Sequence, residues 1–255
     1  MSDAPALVAA SHGTSHPDGQ RAVAALVEAV AASALAVTVR EAFVDVQQPD
    51  VPQTLGDLDV DVDAIVVPLL LSAGYHVRVD LAREARDARE TGDRRVTIAD
   101  ALGPDPRIAR LLARRLDEAG VASNDVVVLA AAGSTDANAI DDCRVAAEQL
   151  AQVLDRPVSV GFVSAAFPRL ADAVNEARRR AGEGRVVLAT YLLAPGYFAE
   201  LAASAGADLV TAPLLRADDA VPGELIDVVL DRFSAACNAD VSTPSQAASD
   251  AVTTW

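Results

Sequence analysis

Leu192-Leu193-Ala194-Pro195-Gly196-Tyr197-Phe198 repeats Leu70-Leu71-Ser72-Ala73-Gly74-Tyr75-His76 with four identities in seven positions. This echo decides how the chain is read, because self-similarity at a fixed spacing marks duplicated structural units. Two further markers keep the same order. The apolar run 126–130 matches the run 7–10, and Ala131-Ala132-Gly133-Ser134-Thr135 falls where Ser11-His12-Gly13-Thr14-Ser15 stands. Phe162-Val163-Ser164, followed by Pro168, falls where Phe43-Val44-Asp45 is followed by Pro49.

Around these markers, short runs of Val, Leu and Ile alternate with amphipathic stretches, the pattern of a parallel sheet covered by helices. In the first half, strands are expected at 7–10, 37–44, 64–71 and 96–99, with helices at 20–32, 51–58, 79–90 and 107–119. The helix at 20–32 rests on Val23, Leu26, Val27 and Val30, which form one apolar stripe. The expected fold class is α/β, with two homologous domains, 1–121 and 122–236, each a mostly parallel sheet flanked by helices. Residues 237–255, rich in Ser, Thr, Ala and Asp, read as a disordered tail.

Composition narrows the function. Half of the 255 residues are hydrophobic, yet no stretch approaches the roughly 20 uninterrupted apolar residues that span a bilayer. The first ten residues carry an acid and no base, unlike a signal peptide, so a cytoplasmic protein is expected. A net charge of -16 and a pI near 4.4 argue against nucleic acid or an anionic membrane as partner. Lysine is absent, so every basic residue other than histidine is arginine, which can grip carboxylates through two parallel hydrogen bonds. Cys143 and Cys237 lack CxxC spacing and histidine neighbours, and read as reduced and structural.

The repeat serves as an internal control: scaffold should recur in both halves, whereas chemistry can survive in one. Gly13, Gly74 and Tyr75 have partners in Gly133, Gly196 and Tyr197, but His12 is replaced by Ala132, His76 by Phe198 and Asp45 by Ser164. Each retained group lies at the C-terminal end of an expected strand, where open parallel sheets bind ligands. Two imidazoles and a carboxylate suit iron, cobalt, nickel or zinc, and neutral imidazole also accepts protons near neutrality. His12 and His76 are therefore the expected catalytic pair, and His12, His76 and Asp45 the expected metal ligands. Ser11 and Gly74, beside the histidines, are expected to touch substrate. Tyr75 and Tyr197 recur and read as packing residues, and Phe198 reads as core.

The motifs resemble those of the class II chelatases of cobalamin and siroheme synthesis, particularly the two-domain sirohydrochlorin chelatases. The resemblance is carried by Leu7-Val8-Ala9-Ala10-Ser11-His12-Gly13-Thr14, Phe43-Val44-Asp45 with Pro49, Pro68-Leu69-Leu70-Leu71-Ser72-Ala73-Gly74-Tyr75-His76-Val77 and Ala101-Leu102-Gly103-Pro104. It implies that His12 and His76 handle metal and remove protons. It also implies a glutamate where this chain has the shorter Asp45. The substrate it implies is a tetrapyrrole with eight carboxylates, for which Arg78 is the expected partner. Arg83, Arg86 and Arg89 read either as further partners or as a solvated helix face. His16 reads either as a surface residue or as another substrate contact. The expected activity is ATP-independent insertion of Fe²⁺ or Co²⁺, the metal being a substrate. No organic cofactor, nucleic acid or membrane is expected, and a monomer is expected because two fused domains can enclose one cleft.

Two other readings use the same residues. A strand ending in His-Gly-Thr resembles the Arg-His-Gly motif of phosphohistidine phosphatases, but Ser11 stands where the phosphate-holding arginine belongs. A non-enzymatic metal or tetrapyrrole carrier would need the same ligands and would stop after one equivalent.

Overall fold

The computed structural model describes residues 4–34, 36–72 and 94–241. The first sheet comprises β1 (Ala6–Ser11), β2 (Val39–Phe43), β3 (Ala64–Pro68) and β4 (Val96–Ile98), in the order β2-β1-β3-β4. The second comprises β5 (Val126–Ala131), β6 (Val158–Phe162), β7 (Val186–Tyr191) and β8 (Leu209–Val210), in the matching order β6-β5-β7-β8. All pairings are parallel. Registers such as Ser11 with Phe43 and Ala10 with Pro68 bring the C-terminal ends of β2, β1 and β3 level.

The described helices are α1 (Pro17–Ser33), α2 (Val51–Gly56), α3 (Pro106–Glu118), α4 (Ala137–Leu154), α5 (Leu170–Ala181), α6 (Tyr197–Ala203) and α7 (Gly223–Val241). The starts of α1 to α4 are written in the sequence. The Asp50, Asp105 and Asp136 carboxylates accept from Gln53 N, Arg107 N and Asn138 N, capping α2, α3 and α4. Pro17 opens α1, three residues before the expected start, because a first-turn proline needs no N–H donor. The third strand ends at Pro68 rather than 71, since proline cannot donate to the ladder. The helix expected at 79–90 lies outside the described residues. Among the described residues no helix is long and apolar enough to cross a membrane.

Alternate strand residues face different cores. Leu7, Ala9, Ile65 and Val67 share one large core with Val127, Leu129, Val187 and Ala189 of the second sheet. On the opposite faces, Val8 and Val66 meet Val51 and Leu55 of α2, while Val128 and Leu188 meet Leu170 and Val174 of α5. Both faces of each sheet are thus covered, which explains why the strands read as continuous apolar runs.

The covering helices are exchanged between halves. α3, expected to close the first half, lies against α4 and β7 of the second; α7, which follows the second sheet, lies against α1, β3 and β4 of the first. Ile108, Leu111, Leu112 and Leu116 of α3 and Leu225, Val228 and Val229 of α7 are buried in the shared core. Ion pairs Arg107–Asp231 and Arg114–Glu224 tie the two helices together. The boundary expected at 121/122 therefore separates the sheets but not their coverings. The tail expected from 237 also begins too early, because α7 reaches Val241: Phe233 and Ala236, three apart, continue its buried stripe.

Candidate active site

The C-terminal ends of both sheets open on one cleft of about 560 Å³, a volume suited to a small-molecule ligand. The first half contributes residues 11–15, 46–47 and 69–72 to its wall, and the second contributes 131–134, Cys143 and 191–199.

His12 is the first residue beyond β1, exposed and on the cleft wall. Gly13 turns the chain there with φ +88°, and a Cβ at that position would collide with the Asp45 carbonyl, so glycine is required. Val44 N donates to Ser11 O at 2.9 Å and Asp45 N to His12 O at 3.0 Å, holding the two backbones side by side. Thr14 N donates to Gln47 Oε1 at 2.9 Å and fixes the rest of the turn. The second half repeats this scaffold: Gly133 has φ +93°, and Ser164 N donates to Ala132 O at 2.9 Å. The frame is duplicated and the imidazole is not.

The other expected site residues fall unevenly. Ser11 is buried on the cleft wall, and its Oγ has no hydrogen-bond partner among the described residues. Asp45 is exposed beside the cleft rather than on its wall, its Oδ1 accepting from Val46 N at 2.7 Å. His16 is half-buried at the start of α1 and off the cleft wall, with Nε2 3.6 Å from Glu200 Oε1 of α6. That position spans the two halves rather than lining the cleft. Gly74, His76, Arg78, Arg83, Arg86 and Arg89 lie outside the described residues. Among the described residues no three His, Cys, Asp or Glu side chains cluster as a metal site; the expected set includes His76.

Several cleft residues escaped the sequence reading. Cys143 reaches the wall from α4, its thiol pushed up to about 11 by burial and by the Asp142 charge, against an opposing hydrogen bond with Ser72. Tyr191 is buried at the end of β7, and burial holds its hydroxyl well above the usual tyrosine range. The repeat pairs Tyr191 with Leu69, a polar-for-apolar exchange that marks the position. Tyr197 and Phe198, expected to be packing and core residues, are 67% and 39% exposed and line the cleft. Both belong to α6, whose buried residue is Ala202, so the helix rests on that small side chain and leaves the rings outside.

Two parallel sheets of equal order, meeting at their C-terminal ends around a cleft with a strand-end histidine, define a duplicated chelatase-like protein. A CbiX family profile matches residues 6–119 and 126–203, and the chain belongs to that family of class II chelatases. The sirohydrochlorin cobaltochelatase of Sulfurisphaera tokodaii is 33% identical over 82 residues, 31% of this chain and 66% of that protein, so the match spans just under two thirds of the relative's length. SirB from Bacillus subtilis with Fe³⁺ has a TM-score of 0.76 at 20% identity, covering 94% of this chain and 98% of that one. The sirohydrochlorin chelatase SirB from Bacillus subtilis subspecies spizizenii, in complex with cobalt, has a TM-score of 0.72 at 19% identity with the same coverage. At these identities the structural likeness establishes the fold.

Proposed function

We propose that the protein inserts a divalent metal, Fe²⁺ in preference to Co²⁺, into sirohydrochlorin, in siroheme or cobalamin biosynthesis and without nucleotide or organic cofactor. The observation that carries this reading is the retention of His12 on the cleft wall, on a turn whose duplicate holds Ala132. Sirohydrochlorin, iron as Fe³⁺ and cobalt, named for the relatives above, support the substrate class and the two metals alike.

In this mechanism the metal and the tetrapyrrole are both substrates. His12 and His76 receive the ion, and Asp45, whose backbone is hydrogen-bonded to that of His12, supplies the carboxylate. Two pyrrole N–H protons leave as the ion enters the ring, and neutral imidazole is the acceptor for them. Ser11, Gly74 and Arg78 contact the substrate, and His16 helps hold the halves together. Since both halves line one cleft, a monomer suffices.

The test is a spectrophotometric insertion assay on sirohydrochlorin with iron, cobalt and nickel in parallel. Many turnovers per protein without ATP are expected. A reaction that halts after one equivalent would make the protein a carrier, and a strict nucleotide requirement would overturn the mechanism.

A further inference from the structure

We propose that Tyr197 and Phe198 form the surface on which the flat conjugated ring of the tetrapyrrole rests, so that the second half holds the macrocycle while the first half delivers the metal. The inference rests on the function proposed above and assigns work to a half without the histidines.

Seven large hydrophobic residues are exposed among the described residues, and three of them, Val46, Tyr197 and Phe198, line the cleft. Apolar surface gathered at one concave place marks a ligand site more often than scattered exposure does. The two rings are adjacent in sequence, with centroids 6.1 Å apart and planes tilted by 36°, so they are not stacked face to face on each other. A planar conjugated ring is a natural occupant, because aromatic side chains gain from offset stacking beyond the burial of area. The acidic edge of such a ring stays free for polar groups elsewhere.

The pair is also fixed relative to the first-half turn. A Cβ on Gly19 would collide with the Pro195 carbonyl and crowd the Thr14 side chain, so α1 and the loop before α6 touch at backbone distance. His16 and Glu200 meet one turn further on. The first-half turn that carries His12 and the loop that leads into the aromatic pair are thereby brought together at the rim of the cleft.

The repeat supplies the chemical logic. Phe198 occupies the position of His76, so the second half keeps a flat ring at this place but has no nitrogen with which to bind metal. A second coordinating face would compete with the macrocycle for the ion, whereas an apolar one binds the ring and leaves the metal to the first half.

Metal-free sirohydrochlorin is titrated into the wild type, Phe198→Ala, Phe198→Leu, Phe198→Tyr and the Tyr197→Ala/Phe198→Ala double variant, followed by visible absorption, with steady-state kinetics on the same proteins. Phe198→Ala should raise the tetrapyrrole Kd and KM by about tenfold, with kcat and the KM for metal within about twofold; the double variant should lose more. Phe198→Tyr should bind as wild type and Phe198→Leu should not, because bulk without a conjugated face is insufficient. If a wild type that metallates sirohydrochlorin loses no affinity in the double variant, or if leucine serves as well as phenylalanine, the inference is overturned and the proposed function stands. If the wild type neither binds nor metallates sirohydrochlorin, both fall.

Discussion

The Tyr191 hydroxyl donates a 2.9 Å hydrogen bond to the carbonyl of Leu71, linking the end of β7 in one sheet to the chain just beyond β3 in the other. Gly103 lies against this bond, and a Cβ there would collide with both the hydroxyl and the carbonyl. Tyr191→Phe should lower stability by about 1 kcal/mol, the net value of one hydrogen bond. Gly103→Ala should cost more, because it forces the seam apart as well as breaking the bond. Denaturant titrations of both variants check the order; a Gly103→Ala protein as stable as wild type would mean that the contact is not tight in solution.

His12 is exposed at a turn set by backbone hydrogen bonds and Gly13. His12→Ala should therefore leave the melting temperature unchanged and lower turnover by about 10² to 10⁴, the usual effect of removing an acid–base group. Asp45→Ala should reduce turnover less, since its carboxylate stands off the cleft wall, and Asp45→Glu should restore it by reaching one methylene further. Normal metal insertion by His12→Ala would remove it from the chemistry.

Asp125 is held at about 2, chiefly by its hydrogen bonds with the Arg185 side chain and further by the backbone N–H groups of Ala122 and Arg185. A carboxylate lowered on folding contributes stability that is complete above its unfolded value near 4 and is lost as pH falls toward its folded value. Asp125→Asn should thus be less stable than wild type at pH 7, with the difference shrinking between about pH 4 and pH 2. A difference independent of pH over that range would mean that the ion pair is not formed.

Cys143 faces the cleft but its thiol stays protonated at neutral pH, at about 11. The thiolate is the reactive form, so alkylation by iodoacetamide at pH 8 should be slow in the folded protein and rapid after unfolding. Fast labelling of Cys143 in the native state would show a thiolate, and with it another candidate metal ligand.

The strands and helices of the first half that fall within the described residues were legible because their apolar periods are clean, and the repeat doubled the signal. The place of His12 at a strand end on the cleft wall was legible too, because Ala132 at the matched position sets it apart from the duplicated scaffold. Less visible were contacts made across the sequence. Nothing local in Pro106–Glu118 says which sheet its leucines cover, since an apolar stripe specifies burial and not a partner. Tyr197 was read as a packing residue because it recurs at Tyr75, and Phe198 as core because an apolar ring stands there in place of His76. Their exposure depends on how little of α6 is turned inward, which a seven-residue helix does not encode by periodicity.

The exchange of α3 and α7 makes the duplicated chain one folding unit. Residues 1–121 alone would carry a helix whose enclosed leucines belong against another sheet, and would leave their own sheet bare where α7 lies. A single-copy version of this architecture would have to borrow the missing helix from a second chain, and its folding would depend on concentration. Fusion of two copies replaces that encounter with a tethered one at high effective concentration. In the fused chain one half can carry the histidines for both, because the half that bears them cannot diffuse away from the other.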